Sequence, residues 1–193
     1  MQTPEDILAF WLDEVGPKGW YEKDDAIDKA IRSRFMATWE ELMEGSFGLW
    51  LTYPTGALAY VILADQFPRN MFRGEARAFA SDEVARAAAK QSIHRGYDVR
   101  IDSPARQFFY LPLMHSENLC DQDRCVRLFK ERMPDADNSL LHARVHREVI
   151  RNFGRFPFRN GALSRRTTPT EQVFIDGGGY GATLREMQTA QAA

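Results

Sequence analysis

Apolar residues recur along most of this chain at the three- and four-residue spacing of helices, and strict apolar–polar alternation is almost absent. Ile27, Ile31, Phe35, Trp39 and Leu42 keep that spacing and predict a helix over 24–43, stopped by Gly45. Ahead of it, Thr3-Pro4-Glu5-Asp6 offers an N-cap, a first-turn proline and acids at the positive helix end. That helix should reach about Val15, before Gly16-Pro17. The run Ala57-Leu58-Ala59-Tyr60-Val61-Ile62-Leu63-Ala64 is apolar on all sides. Its alanines and length favour helix over strand, and it predicts an element over 56–67, buried all round and closed by Pro68.

Ser81-Asp82-Glu83 opens an alanine-rich helix that ends near His94, with Gly96 as its cap. Residues 103–114 are aromatic and read as helical, with Pro112 forcing a break or kink. Two amphipathic helices follow over 117–133 and 139–153, the second closed by Gly154, and Thr168-Pro169-Thr170-Glu171 fits a capping box for a short last helix. No proline- or serine-rich linker interrupts the chain. The expected architecture is all-α, with seven to eight helices, no sheet and one domain over 1–193. From about 177 a glycine run should act as a hinge before a flexible tail. Gly177 to Ala182 nominally matches G-x-G-x-x-A, but with only eleven residues after Ala182 no βαβ unit can follow.

Composition narrows the function classes. Hydrophobic residues are 44% and aromatics 12% of 193, which excludes a disordered chain. Twenty-five basic against 27 acidic side chains leave a net charge of −2, no footprint for nonspecific nucleic-acid or membrane-surface binding. Cys120 and Cys125 are too few for a disulfide framework, and the early apolar stretch is short and flanked by acids rather than a basic signal sequence. A cytoplasmic protein with reduced thiols is expected. Neither a P-loop nor a G-x-S-x-G elbow occurs.

Three features could carry chemistry. Phe67-Pro68-Arg69-Asn70 and Phe156-Pro157-Phe158-Arg159-Asn160 each place an Arg-Asn pair after a helix. Those donors either cap carbonyls or hold an anion. Asp65, at the end of the all-apolar helix, needs a cationic or hydrogen-bonding partner, with Arg69, Arg73 and Arg159 as candidates. In the helix over 139–153, taking about 100° per residue from His142, His146, Val149, Ile150 and Phe153 share one face, while Arg144, Arg147 and Arg151 lie opposite. His115 ends another apolar segment and could join the histidine pair. His115, His142 and His146 would then be a workable zinc or iron set, against the plainer reading of neutral core histidines bonded to one another or to Glu117. No cofactor is expected.

Taken together, Asp65 to Asn70 with Arg73-Gly74, Pro112-Leu113-Met114-His115-Ser116-Glu117, and Phe153-Gly154-Arg155-Phe156-Pro157 with Arg159-Asn160 resemble the bacterial domain-of-unknown-function family 924. The likeness runs from Ile7 to Pro169. It implies a tetratricopeptide-like array of antiparallel helical hairpins curled into one compact domain, and no particular activity. Against the family pattern, Phe158 stands where a histidine is usual and Ser164 where a glycine is usual.

Two functions remain in view. In one, His115, Glu117 and His146 supply acid–base catalysis while Asp65, Arg69, Asn70, His142, Arg155, Arg159 and Asn160 hold a small anionic ligand. In the other, the helical array is a non-catalytic scaffold for a protein or peptide, with Trp20, Tyr21, Trp50 and Tyr53 as exposed anchors.

Overall fold

The structure is a computed structural model and describes residues 2–192. Among them helices and turns occur and no strand. The chain forms two compact units, the first ending at Pro112 and the second beginning at Leu113. No change of composition marks that boundary.

The first unit opens with α1 (Pro4–Leu8), whose capping box is complete: Thr3 Oγ1 accepts from the Asp6 N–H, and Asp6 Oδ2 accepts from the Thr3 N–H at 2.8 Å. It continues as a π-helix (Ala9–Val15) and, past the expected stop at Gly16-Pro17, as the short α2 (Gly16–Gly19). Then come α3 (Asp25–Met43), capped by Asp24, and α4 (Pro54–Val61). After these are α5 (Phe67–Met71) and α6 (Asp82–His94). Short 3-10 turns follow α6, before α7 (Leu111–Met114) at the junction. Pro112 thus sits inside the first turn of a new helix, where its missing N–H costs nothing, rather than breaking an old one.

Pro68 is the larger departure from expectation. It does not close the apolar helix: α4 passes through a π-turn (Ile62–Gln66) directly into α5, with Pro68 in the first turn of α5. The Phe67 N–H reaches Ile62 O, one residue further back than in an α-helix. Proline has no N–H for the carbonyl four residues earlier, that of Ala64. Ser81 replaces it. The Ser81 hydroxyl donates to Ala64 O at 2.5 Å and accepts from Trp39 Nε1 at 3.0 Å, so a buried carbonyl that would cost about 1–3 kcal/mol unpaired is satisfied from the start of α6, by a hydroxyl that Trp39 of α3 orients.

Continuity through residue 68 places Phe67 at the centre of an aromatic cluster. Its ring lies 4.8 Å from Phe35, 5.5 Å from Trp11 and 6.0 Å from Phe10, all buried. Gly56 lets the chain turn into α4, because a Cβ there would lie 2.5 Å from both Trp50 O and the Tyr53 ring.

The second unit contains α8 (Leu119–Arg132), capped by Asn118, packed on α9 (Asp137–Phe153). Gly154, at φ 69°, ends α9 in the left-handed conformation. A 3-10 turn (Pro157–Arg159) leads to α10 (Pro169–Asp176), whose Thr168–Glu171 capping box forms as expected. The residues read as a flexible tail form α11 (Gly179–Ala192), which packs on α9. Gly178, at φ 97°, makes the corner between α10 and α11. Among the described residues no helix is long and apolar enough to cross a membrane.

Because Phe67 fills the centre of the first unit, Phe67→Ala is expected to cost about 3–5 kcal/mol of stability, and Phe67→Leu clearly less. Urea unfolding measures both.

Candidate functional site

The residues singled out by sequence fall into two groups. In the first unit, Asp65 is 1% exposed and thoroughly engaged. Gln66 Nε2 donates to its Oδ2 at 2.5 Å, and Arg69 Nη1 stands 3.4 Å from its Oδ1 while donating to its backbone carbonyl at 2.7 Å. Arg69 also meets Asp82 at 2.8 Å, in the first turn of α6. Burial alone would push the Arg69 guanidinium down, but Asp65 and Asp82 more than offset it. The group is an internal brace between α5 and α6.

Arg73, a second candidate partner for Asp65, pairs with Asp28 instead, and Asn70 Nδ2 donates to Asp28 at 2.9 Å. Tyr21 belongs to the surroundings of Asp65, although sequence reasoning did not connect them. Its ring is exposed, as expected, but its hydroxyl donates to Gln107 Oε1 at 2.5 Å, and the shielding of that hydroxyl, followed by the Asp65 charge, raises its pKa. Trp20 is no surface anchor: it is buried and donates to Trp11 O at 2.6 Å. Trp50 is stacked on Phe47 at 4.3 Å, and Tyr53 is partly exposed.

The two proline turns are not equivalent. The first lies within a continuous helix, and the second opens a 3-10 turn beyond a helix end. In the second unit that turn is tied by two carboxylates. Glu117 accepts from the Phe156 N–H at 2.8 Å and from Arg165 at 2.7 and 3.0 Å. Burial would raise its pKa, but Arg165 and the Phe156 N–H outweigh that and lower it. A carboxylate held this way is a poor proton acceptor, which removes the base role expected of Glu117. Glu171 accepts from Arg155 at 2.6 and 2.8 Å, from the Thr168 N–H at 2.7 Å and from Asn160 at 3.3 Å. Arg155 first, then Thr168, holds its pKa down to about 2. Arg155 and Asn160 are therefore loop staples rather than free ligand donors. Glu171 is marked in the sequence only as the acid of its capping box, and nothing there signals its pairing with Arg155 or that of Arg165 with Glu117.

The histidines do converge. His146 Nδ1 lies 2.8 Å from the His142 carbonyl, so it carries the proton. Tyr180, on α11, lies 2.5 Å from His142 Nδ1 and 3.3 Å from His146 Nδ1. Its hydroxyl therefore donates to His142, whose own proton is on Nε2. This assignment leaves His146 Nε2 as a bare acceptor. The His146 ring lies 4.9 Å from Tyr180, 5.5 Å from Phe156 and 6.3 Å from His115. Burial first, then His115, pushes its pKa down to about 3, with Arg159 adding to the effect. Arg159 is 7% exposed and its guanidinium sits 4.5 Å from the Phe156 ring centre. Among the described residues no three His, Cys, Asp or Glu side chains are grouped to hold a metal ion; His142 and His146 are joined through Tyr180 and the His142 carbonyl, with His115 in ring contact with His146.

The family described as "Bacterial protein of unknown function (DUF924)" matches residues 7–179. The chain belongs to this family. A solved structure of a protein of unknown function from Agrobacterium tumefaciens is similar to it, with 40% identity, 89% of this chain and 96% of that chain covered, and a TM-score of 0.84. No curated protein matches. What family membership adds is the fold; the chemistry has to come from the residues. Phe158 packs on Phe156 at 5.2 Å and on Tyr180 at 6.3 Å, extending the aromatic surround of His146. Ser164 stands at φ 51°, the left-handed region in which glycine is at ease.

Two measurements follow from this geometry. Ser164→Gly should relieve about 1–2 kcal/mol of left-handed strain and return about 0.4–1 through a looser unfolded chain, for a net gain of about 0.5–1 kcal/mol in denaturant unfolding.

The second concerns pH. His146 titrates near 6.5 when unfolded and at about 3 when folded. As pH falls below 6.5, the unfolded chain takes up a proton that the folded chain refuses. Stability then drops by about 1.4 kcal/mol per pH unit for each such histidine. His142, lowered by burial, acts in the same direction. Glu117 and Glu171, with lowered pKa values, lose their contribution only as pH falls below about 4.5. The loss between pH 6.5 and 4.5 therefore belongs to the histidines, and His146→Gln should flatten it; an unchanged slope would contradict the assignment.

Proposed function

We propose that this protein binds a small carboxylate-bearing molecule at the His146–Arg159 cluster of its second unit, with His146 Nε2 accepting a proton or hydrogen bond from the ligand. The observation that carries the reading is the fixed tautomer of His146. Its Nδ1 proton is tied to the His142 carbonyl, so the opposite nitrogen keeps its lone pair while the ring is held neutral down to about pH 3. Arg159, close enough to lower that pKa, supplies the complementary cation.

These two groups favour an anion in a specific way. A carboxylate beside Arg159 offsets the positive potential that suppresses protonation of His146, so the imidazole becomes a stronger base as the ligand arrives. Tyr180 and Phe156 shield the pair from water and strengthen both interactions. His115, 6.3 Å away, is the remaining candidate for moving a proton. Asp65 and Arg69 play no direct part in this reading, being engaged with each other, Gln66 and Asp82. The scaffold reading keeps Tyr21 and Tyr53 as exposed anchors but loses Trp20, which is interior. Reduced thiols at Cys120 and Cys125 are consistent with the cytoplasm as its compartment.

The test is nitrogen-15 NMR of the histidine rings in the full chain, titrated with acetate, succinate and citrate. At least one should shift His146 Nε2 and raise its pKa, and Arg159→Lys should weaken that binding by about tenfold or more. Absence of any response to all three, or an undiminished response in Arg159→Lys, would sink the proposal.

A further inference from the structure

A separate feature of the first unit has a different chemistry. A cleft of about 370 Å³ is lined by Lys23, Lys29, Arg32 and Arg73, with Asn70 and the carboxylates of Asp25 and Asp28. Asp25, Asp28, Lys29 and Arg32 stand at i, i+3, i+4 and i+7 on α3, so they share one face of that helix. Asn70 and Arg73 come from the end of α5 and the turn after it, which pack against α3.

The internal pairing decides what charge is left over. Asp28 accepts from Asn70 Nδ2 at 2.9 Å and from both Arg73 Nε and Arg73 Nη2, so its charge holds the guanidinium in place. Arg32 Nη2 donates to Met71 O, which fixes that side chain against the end of α5. Lys23 and Lys29 have no hydrogen-bond or ion-pair partner among the described residues. Four cations against two carboxylates leave the cleft at +2 in a chain whose net charge is −2. The result is two positioned guanidinium groups and two unpaired ammonium groups facing one space.

We propose that this cleft binds the phosphate group of a small phosphorylated molecule. A phosphate monoester carries close to two negative charges near neutral pH, which matches the surplus of the cleft. Arginine forks and lysine point charges are the donors such a group takes. The volume lies at the low end of the roughly 300–1,000 Å³ of small-molecule pockets, so a phosphate with a small organic part fits. Asp28 is a positioning residue that orients Arg73.

Calorimetric titration of the full chain with inorganic phosphate and with glycerol 3-phosphate tests this. Both should bind, and the double variant Lys23→Ala/Lys29→Ala should weaken both by about tenfold or more without lowering Tm, because both lysines are exposed. The Asn70 side-chain amide should shift in NMR as phosphate is added. Unchanged affinity in the double variant, or no phosphate binding by the native chain, would overturn the proposal. So would loss of phosphate binding in His146→Gln, since that would assign the anion to the second unit. Failure of the carboxylate site leaves this result unaffected, so the two readings fail separately.

Discussion

One missing hydrogen organises the first unit. Pro68 has no N–H, and the helix that contains it survives because the preceding turn is widened to the π register and Ser81 supplies the donor that Ala64 O lacks. From that arrangement come the central position of Phe67, the burial of Asp65 and the placement of Arg69 against Asp82. Asn70 follows one turn on and reaches Asp28. Ser81 also explains why α6 starts without a side-chain cap: its hydroxyl is already occupied between Ala64 and Trp39.

The second unit reaches rigidity by another route. Glu117 and Glu171 gather three arginine and asparagine side chains and two backbone N–H groups around the turn after α9. Low pKa values are the electrostatic signature of that bracing, and they separate the structural acids from the histidines. With the turn held, Phe156 and Arg159 are presented to His146, whose own backbone contact to His142 selects its tautomer.

Much of the helical architecture was legible in the sequence. Asp24, Thr168 and Gly154 mark helix ends by local chemistry that needs no tertiary partner, and the structure places the ends there. The facing of His142 and His146 together was legible too, because it follows from helical period alone. Three things were not. Pro68 looks like a helix stop unless Ser81, thirteen residues on, is known to pair with the freed carbonyl. Glu117 looks like a base until Arg165, forty-eight residues away, is brought beside it. Tyr180 follows three glycines that suggest a loose end, yet its contact with the histidines lies between α9 and α11 and leaves no periodic trace.

The bond between Ser81 and Ala64 also bears on how this sequence can change over generations. Losing the serine first strands both a buried carbonyl and the Trp39 indole N–H, whereas losing the proline first returns a backbone donor to Ala64 O and leaves the serine needed by Trp39 alone. The two positions are thus epistatic, and the order of replacement matters: a lineage can leave this arrangement through residue 68 far more easily than through residue 81.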